Sequence, residues 1–337
     1  MKKVELTSAG PIAFGPDGIL MVSDPMAATI WAFETGDTEG DAAATKINVD
    51  DIQDKIASMM GAKSDDVRVN DLAVNSSSGH AYLSVTRGSG ADEVSSIIKV
   101  NGKGELSPVK LGEMKHSKAV LENAAENKDM GRRGNARMSS ITDMAYVDGT
   151  VYVAGLSNEE FASNLRSIPY PFEKADNGTA IEIYHGAHGK YETRAPVRTF
   201  TSYVMQEELN ILAAYTCTPL VRIPTADLKP GSKVRGETIA ELGNWNKPLD
   251  MIVYMKKEKP YVLMANSHRG VMKMELGNMN TDKLITTKIK DKAGVEYETI
   301  EDLKNVVQLD KLNDTHGLIL TFDKETKKSS LKTIPLP

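Results

Sequence analysis

The chain has 337 residues, with 46 acidic against 41 basic side chains and a formal charge of −5, a mild balance that argues against a general polyanion-binding surface. Hydrophobic residues at 40% and charged residues at 26% exclude a disordered chain and allow a sizeable core. No stretch reaches the ~18 consecutive apolar residues of a membrane helix, and a single cysteine, Cys217, excludes an internal disulfide and leaves the redox compartment open.

In chain order, residues 1–7 (Met-Lys-Lys-Val-Glu-Leu-Thr) are basic at the start, lack the apolar run of an intact signal peptide, and offer a short strand at 4–7. A first phrase follows: strand 11–14, the turn Gly15-Pro-Asp-Gly18, strand 19–22 and the alternating strand 29–33. Gly, Pro, Asn and Asp supply the backbone angles of tight turns, and period-two alternation marks a strand with one buried face. Residues 50–60 break this pattern, since Ile52, Ile56 and Met59 fall on one helical face behind acidic residues. The phrase then returns at 71–74, 81–85 and 96–100, at 143–146, 151–154 and 180–183, and at 199–203, 211–215 and 220–223. It returns again at 250–253, 261–265 and 270–274, and less regularly at 306–309, 318–322 and 331–336.

Six such repeats, over roughly 8–50, 66–115, 138–192, 197–245, 248–295 and 300–337 plus 1–7, predict a single all-β domain. The architecture expected is a six-bladed β-propeller, with seven blades the alternative. Strand 4–7 is expected to complete the last blade, joining the two ends of the chain and leaving no open sheet edge. The sixteen methionines fall mostly at alternating strand positions such as Met272 and Met274, which reads as core filling.

The run Gly15-Pro-Asp-Gly18-Ile-Leu-Met-Val-Ser-Asp24, together with the blade count, resembles the broad group of six-bladed propellers. That group includes NHL repeats, strictosidine-synthase-like proteins and gluconolactonase/SMP-30 enzymes. The resemblance spans nearly the whole chain as architecture and rests on generic residues. It implies the fold and, from the lactonase-like members, a metal held at the channel mouth by acidic and amide ligands. Six-bladed relatives are often secreted, which implies a periplasmic or secreted protein with its signal peptide removed, with a cytoplasmic one as the alternative.

In a four-stranded meander, the loops that lead into the innermost strand share one face with those joining the second strand to the third. This top face collects the longer loops, where function tends to sit. It should carry Asp71, Asp143 and Asp250 at the mouths of inner strands, and Arg87, the Leu156–Glu160 stretch, Tyr215, Cys217 and Asn266-Ser-His268-Arg269 after second strands. A recurring Asp has two readings: it accepts backbone N–H bonds and pins a loop, or it joins a ring of oxygen ligands for a hard divalent cation such as Ca²⁺, with Asn266 beside it.

The loops at 215–219 and 266–269 occupy equivalent positions in adjoining repeats and are expected to face each other. Cys217 with His268 then reads as a nucleophile–base pair, as soft-metal ligands, or as a buried thiol beside an uninvolved imidazole. His185-Gly-Ala-His188 reads as a solvent-exposed turn, with metal binding the alternative. Loop 156–178, with Phe161, Arg166 and Ile168-Pro-Tyr-Pro-Phe172, reads either as a lid over a small ligand or as packing across a blade edge. Loop 110–140 brings Arg132, Arg133 and Arg137, which clamp an anion or simply stay solvated. Phosphate-cradling GxxxxGK[ST] and the HExxH, GxSxG and CxxC signatures are all missing.

Three functional readings result. In the first, a top-face metal at Asp71, Asp143, Asp250 and Asn266 activates a lactone or ester, with His268 as proton carrier and Tyr215, Cys217, Arg269, Arg87 and Phe161 around the substrate. In the second, the same face recognises a protein, peptide or glycan without chemistry. In the third, Cys217, His268 and Tyr215 form a redox or soft-metal (Cu or Zn) site. Partners are a small-molecule ligand or a protein or peptide on the top face, with neither nucleic acid nor a membrane span.

Overall fold

The computed structural model describes residues 4–131, 134–205, 207–217, 219–278 and 283–337. Short apolar runs punctuated by tight turns make antiparallel meanders, and six of these form six sheets. The chain is a six-bladed β-propeller, and among the described residues it is all-β apart from one α-helix and several 3₁₀ turns. No helix among the described residues is long and apolar enough to cross a membrane.

The blades fall into two compact units, one comprising Met1–Val120 with Asn305–Leu336 and the other Leu121–Lys304 with Pro337. In the first unit, blade 1 runs Ile12–Phe14, Ile19–Asp24 and Thr29–Glu34, and blade 2 runs Val67–Val74, Ala81–Arg87, Val94–Val100 and Leu106–Pro108. Blade 6 runs Val306–Lys311, His316–Phe322 and Ser329–Pro335.

The outer strands of blades 1 and 6 come from elsewhere in the chain. His116–Val120, which follows blade 2, pairs with Thr29–Glu34, and Asn48–Asp50 pairs with Ser329–Pro335. An N-terminal segment therefore closes the C-terminal blade, but it is Asn48–Asp50, and residues 4–7 lie in no strand. The physical reason is the helix α1 (Ile52–Met59) directly after that strand. Ile47, Val49, Ile52 and Ile56 are buried in one cluster with Leu72, Val85, Leu318 and Leu331, which anchors strand and helix together. Met59, expected on the same face, is exposed.

In the second unit, blade 3 departs from expectation. Its third strand is Ser163–Pro169, paired residue for residue with Thr150–Leu156, and Thr179–His185 is the fourth. The stretch expected as a lid or as a loop packed across a blade edge thus contains a core strand. It escaped the alternation rule because Asn164 and Arg166 sit among its buried positions. Blade 4 consists of Thr199–Met205, Glu208–Ala214, Pro219–Pro224 and Glu237–Leu242 with Lys292–Gly294 added outside. Blade 5 consists of Pro248–Lys256, Lys259–Asn266, Gly270–Glu275 and Glu298–Thr299.

Candidate functional site

The recurring aspartates grip backbone. Asp71 Oδ2 accepts the Ile12 N–H at 2.7 Å, and Asp143 Oδ2 accepts the Phe200 N–H at 2.7 Å, each on the inner strand of an adjoining blade. The other oxygen of Asp143 takes the next amide of its own strand, Met144, at 2.8 Å, and Asp250 does the same with Met251 at 2.8 Å. Sequence reasoning missed a further member, Asp310, which accepts from Val74 and Lys311 at 2.7 Å each. Its strand was the least regular repeat, with a bulge between Val306 and Gln308 that shifts the alternation. Burial pushes the Asp310 carboxyl up to about 6, against the pull of the two N–H donors.

The bonds of Asp71, Asp143 and Asp310 staple neighbouring inner strands, which gives these three aspartates a structural task, while the bond shown for Asp250 stays within its own strand. Asn266 is spent in the same way: its Nδ2 donates to Asn246 Oδ1 at 2.9 Å, while its own Oδ1 accepts the His268 and Arg269 N–H groups.

The loops at 215–217 and 266–269 do converge, both on the segment 243–247. Cys217, half-buried at φ +60°, donates its N–H to the Asn246 carbonyl at 2.9 Å. Arg269 Nη2 reaches the Asn244 carbonyl at 3.0 Å, and Ser267 exchanges bonds with Lys247. His268 is exposed, with Nδ1 2.8 Å from Ser267 Oγ.

Tyr215 is a correction. At 1% exposure it packs with Phe200, Ile211 and Tyr152, and burial pushes its hydroxyl far up, so it belongs to the core and not to a substrate surface. Phe161 sits under Lys233, whose Nζ lies 4.1 Å from the ring centroid, and Arg87 Nη1 points to the Met60 carbonyl at 3.4 Å. Phe161 belongs to the blade 3 region and Arg87 to blade 2. Arg132 and Arg133 lie outside the described residues.

The residue that sequence reasoning passed over is Trp245. It is 86% exposed and has φ +60°, a left-handed backbone that non-glycine residues adopt at a cost. Its loop is held rigidly on both sides, because Asn246 Nδ2 donates to the Gly243 carbonyl at 2.5 Å and Asn244 Nδ2 to the Lys290 carbonyl at 2.9 Å. Basic groups surround this segment: Lys247 and His268 are exposed, and Arg198 Nε bonds Thr216 Oγ1, next to Cys217, at 3.1 Å. The signal was there, a large aromatic inside the turn-forming run Gly-Asn-Trp-Asn.

The histidine turn expected in solvent is exposed at His188 but not at His185. His185 is 3% exposed, and with His188 and Glu192 it brings ligand-type atoms within 4.8 Å of one another. A cleft of about 910 Å³ lies at the outer strands of blades 4 and 5, lined among others by Ile239, Tyr261, Lys273, Glu275 and Tyr297.

The fold thus defines the class, a six-bladed β-propeller. No family model matches the sequence, and no curated protein does. Among solved structures, the chain is similar to a putative oxidoreductase (glucose dehydrogenase) from Thermus thermophilus, at 11% identity over 99% of both chains with a TM-score of 0.38. It is similar also to the PQQ-bound aldose sugar dehydrogenase of Streptomyces coelicolor, at 13% identity over 99% of this chain and 96% of that one, TM-score 0.33. An engineered GH43 glycoside hydrolase matches at 13% identity, 80% of this chain against 52% of its own, TM-score 0.39. At these values the likeness carries no activity across.

Proposed function

We propose that this propeller is a recognition protein whose partner docks on the loops of blades 4 and 5, with Trp245 as its anchor. The observation that carries the reading is a fully presented indole on a strained backbone that two flanking asparagines hold still. Rigid, exposed aromatics are the usual centres of binding surfaces, since they bury a large area for little loss of conformational freedom. The surrounding Lys247, His268 and Arg198 favour an acidic protein or peptide over a neutral ligand. Asp71 and Asp143 accept backbone N–H groups of neighbouring strands, which favours a structural task for them over metal ligation.

The test is a peptide array of graded net charge, probed in parallel with the wild-type chain and with Trp245→Ala. Preferential capture of acidic peptides, weakened about 30-fold or more by the substitution, supports the reading. Capture that ignores both charge and Trp245 overturns it.

A further inference from the structure

The edge of blade 3 carries a second cluster, independent of Trp245. Thr179–His185 turns through Gly186-Ala-His188-Gly189 into a fifth strand, Lys190–Glu192. The register opposes Ile183 to Glu192, so His185 and Glu192 stand diagonally on one face, while Tyr184 and Tyr191 stack edge-on on the other. The tight turn then folds His188 back onto His185, with ring centroids 3.9 Å apart. Both imidazoles address the same carboxylate: His185 Nδ1 is 3.0 Å from Glu192 Oε2, and His188 Nδ1 is 2.6 Å from Glu192 Oε1.

A second carboxylate belongs to this group. Glu241, on the outer strand of blade 4, is buried, and its Oε1 accepts the Gly186 N–H at 2.6 Å. Burial pushes its carboxyl up, against the pull of His185, of the Gly186 and Ala187 N–H groups and of His188. A Cβ on residue 186 would lie 2.9 Å from that oxygen, so only glycine lets the turn approach so closely. Two buried atoms are left without a hydrogen-bond partner among the described residues, His185 Nε2 and Glu241 Oε2. An orphaned imidazole nitrogen and an orphaned carboxylate oxygen in one cluster are costly as they stand.

We propose that His185, His188 and Glu192 bind a divalent transition-metal ion of the Zn²⁺ class, with Glu241 as the positioning carboxylate. Two imidazoles and one carboxylate are a ligand set suited to such ions, and tight spacing of the three donors matches a shared coordination sphere. Coordination through Nδ1 places the remaining imidazole proton on Nε2, where a carboxylate partner is the common support for metal-bound histidine. The charges also close, because two neutral imidazoles and two carboxylates around a dication sum to zero. The ion would clip the blade 3 hairpin to blade 4, which already share the Glu241–Gly186 bond and a bond from Thr238 Oγ1 to the Tyr184 carbonyl.

The experiment titrates chelator-treated full-length protein with Zn²⁺ by calorimetry and follows Co²⁺ by its visible absorption bands. One equivalent should bind, His188→Ala should weaken binding at least about 100-fold, and Glu241→Gln should weaken it about 10-fold. His188 is half-exposed, so its variant keeps the fold even if His185→Ala does not, and circular dichroism checks this. Trp245→Ala should retain the full equivalent. No binding of either ion at about 100 μM, or stoichiometric binding that survives both His188→Ala and Glu192→Gln, overturns the proposal.

Discussion

The inner-strand aspartates and the Glu192 cluster both gather carboxylates, and they use them in opposite ways. Asp143 spends its two oxygens on main-chain amides of its own strand and of the next inner strand. Glu192 spends its oxygens on two imidazoles, and those hydrogen bonds, from His185 first and then His188, hold its carboxyl down to about 2 despite burial. A main-chain amide is a fixed donor with no other state, so the first arrangement holds the fold together. An imidazole can exchange its proton for a metal, so the second can be rebuilt around an ion without moving the backbone. Carboxylate clustering alone is therefore a poor guide to chemistry, and the identity of the donors decides.

Substitutions should separate the two. Asp143→Ala leaves two half-buried amides without acceptors and should destabilise by roughly 3 kcal/mol in denaturant unfolding, whereas His188→Ala in metal-free protein should cost well under about 1 kcal/mol. Equal losses would erase the contrast.

A pH series sharpens it. Asp310 has a folded-state value of about 6 against 3.8 for an unperturbed carboxyl, so the folded state holds the proton more tightly. Its contribution to stability is greatest at low pH and declines as pH rises from about 4 to about 6, by about 3 kcal/mol, and stays lost above that. In the difference between wild type and Asp310→Asn, the urea midpoint should show this fall. A flat difference would mean that the N–H donors offset burial fully.

Gly186→Ala comes next, with an expected cost of about 1–2 kcal/mol because the new methyl meets Glu241. It should also weaken Zn²⁺ binding, unlike any change at the inner aspartates. The smallest effect has the opposite sign: Trp245→Gly should stabilise by up to about 1 kcal/mol, by relieving φ +60° on a side chain that packs on little. A stabilised variant that no longer captures acidic peptides would show strain retained for binding. A destabilised one would instead make Trp245 part of the packing.

Much of the architecture was legible before any coordinates. Turn residues at Gly15-Pro-Asp-Gly18 and Asp148-Gly149, with alternation in segments such as Thr29–Glu34, are local signals, and they placed most strands within a residue or two. The strand Ser163–Pro169 was not legible, because a buried Arg166 bonded to Asn123 is a tertiary solution to a polar residue in a core position. The candidate site was only partly legible. Equivalent loop positions placed Cys217 and Asn266 in corresponding loops, and both bond Asn246, while Trp245 is held out by bonds that its neighbours Asn244 and Asn246 make with Asn266, Arg269 and Lys290.

Sequence by itself determined the repeat, the direction of the chain through each blade and the recurrence of Asp at inner strands, since all three follow from short-range periodicity and turn chemistry. Only the tertiary structure decided that Asn48–Asp50 closes the last blade, that the aspartates bond to amides 57 and 59 residues away, and that Glu241 comes up against Gly186 from 55 residues further on. Such partners are chosen by which surfaces must be buried together, and no local pattern carries that information.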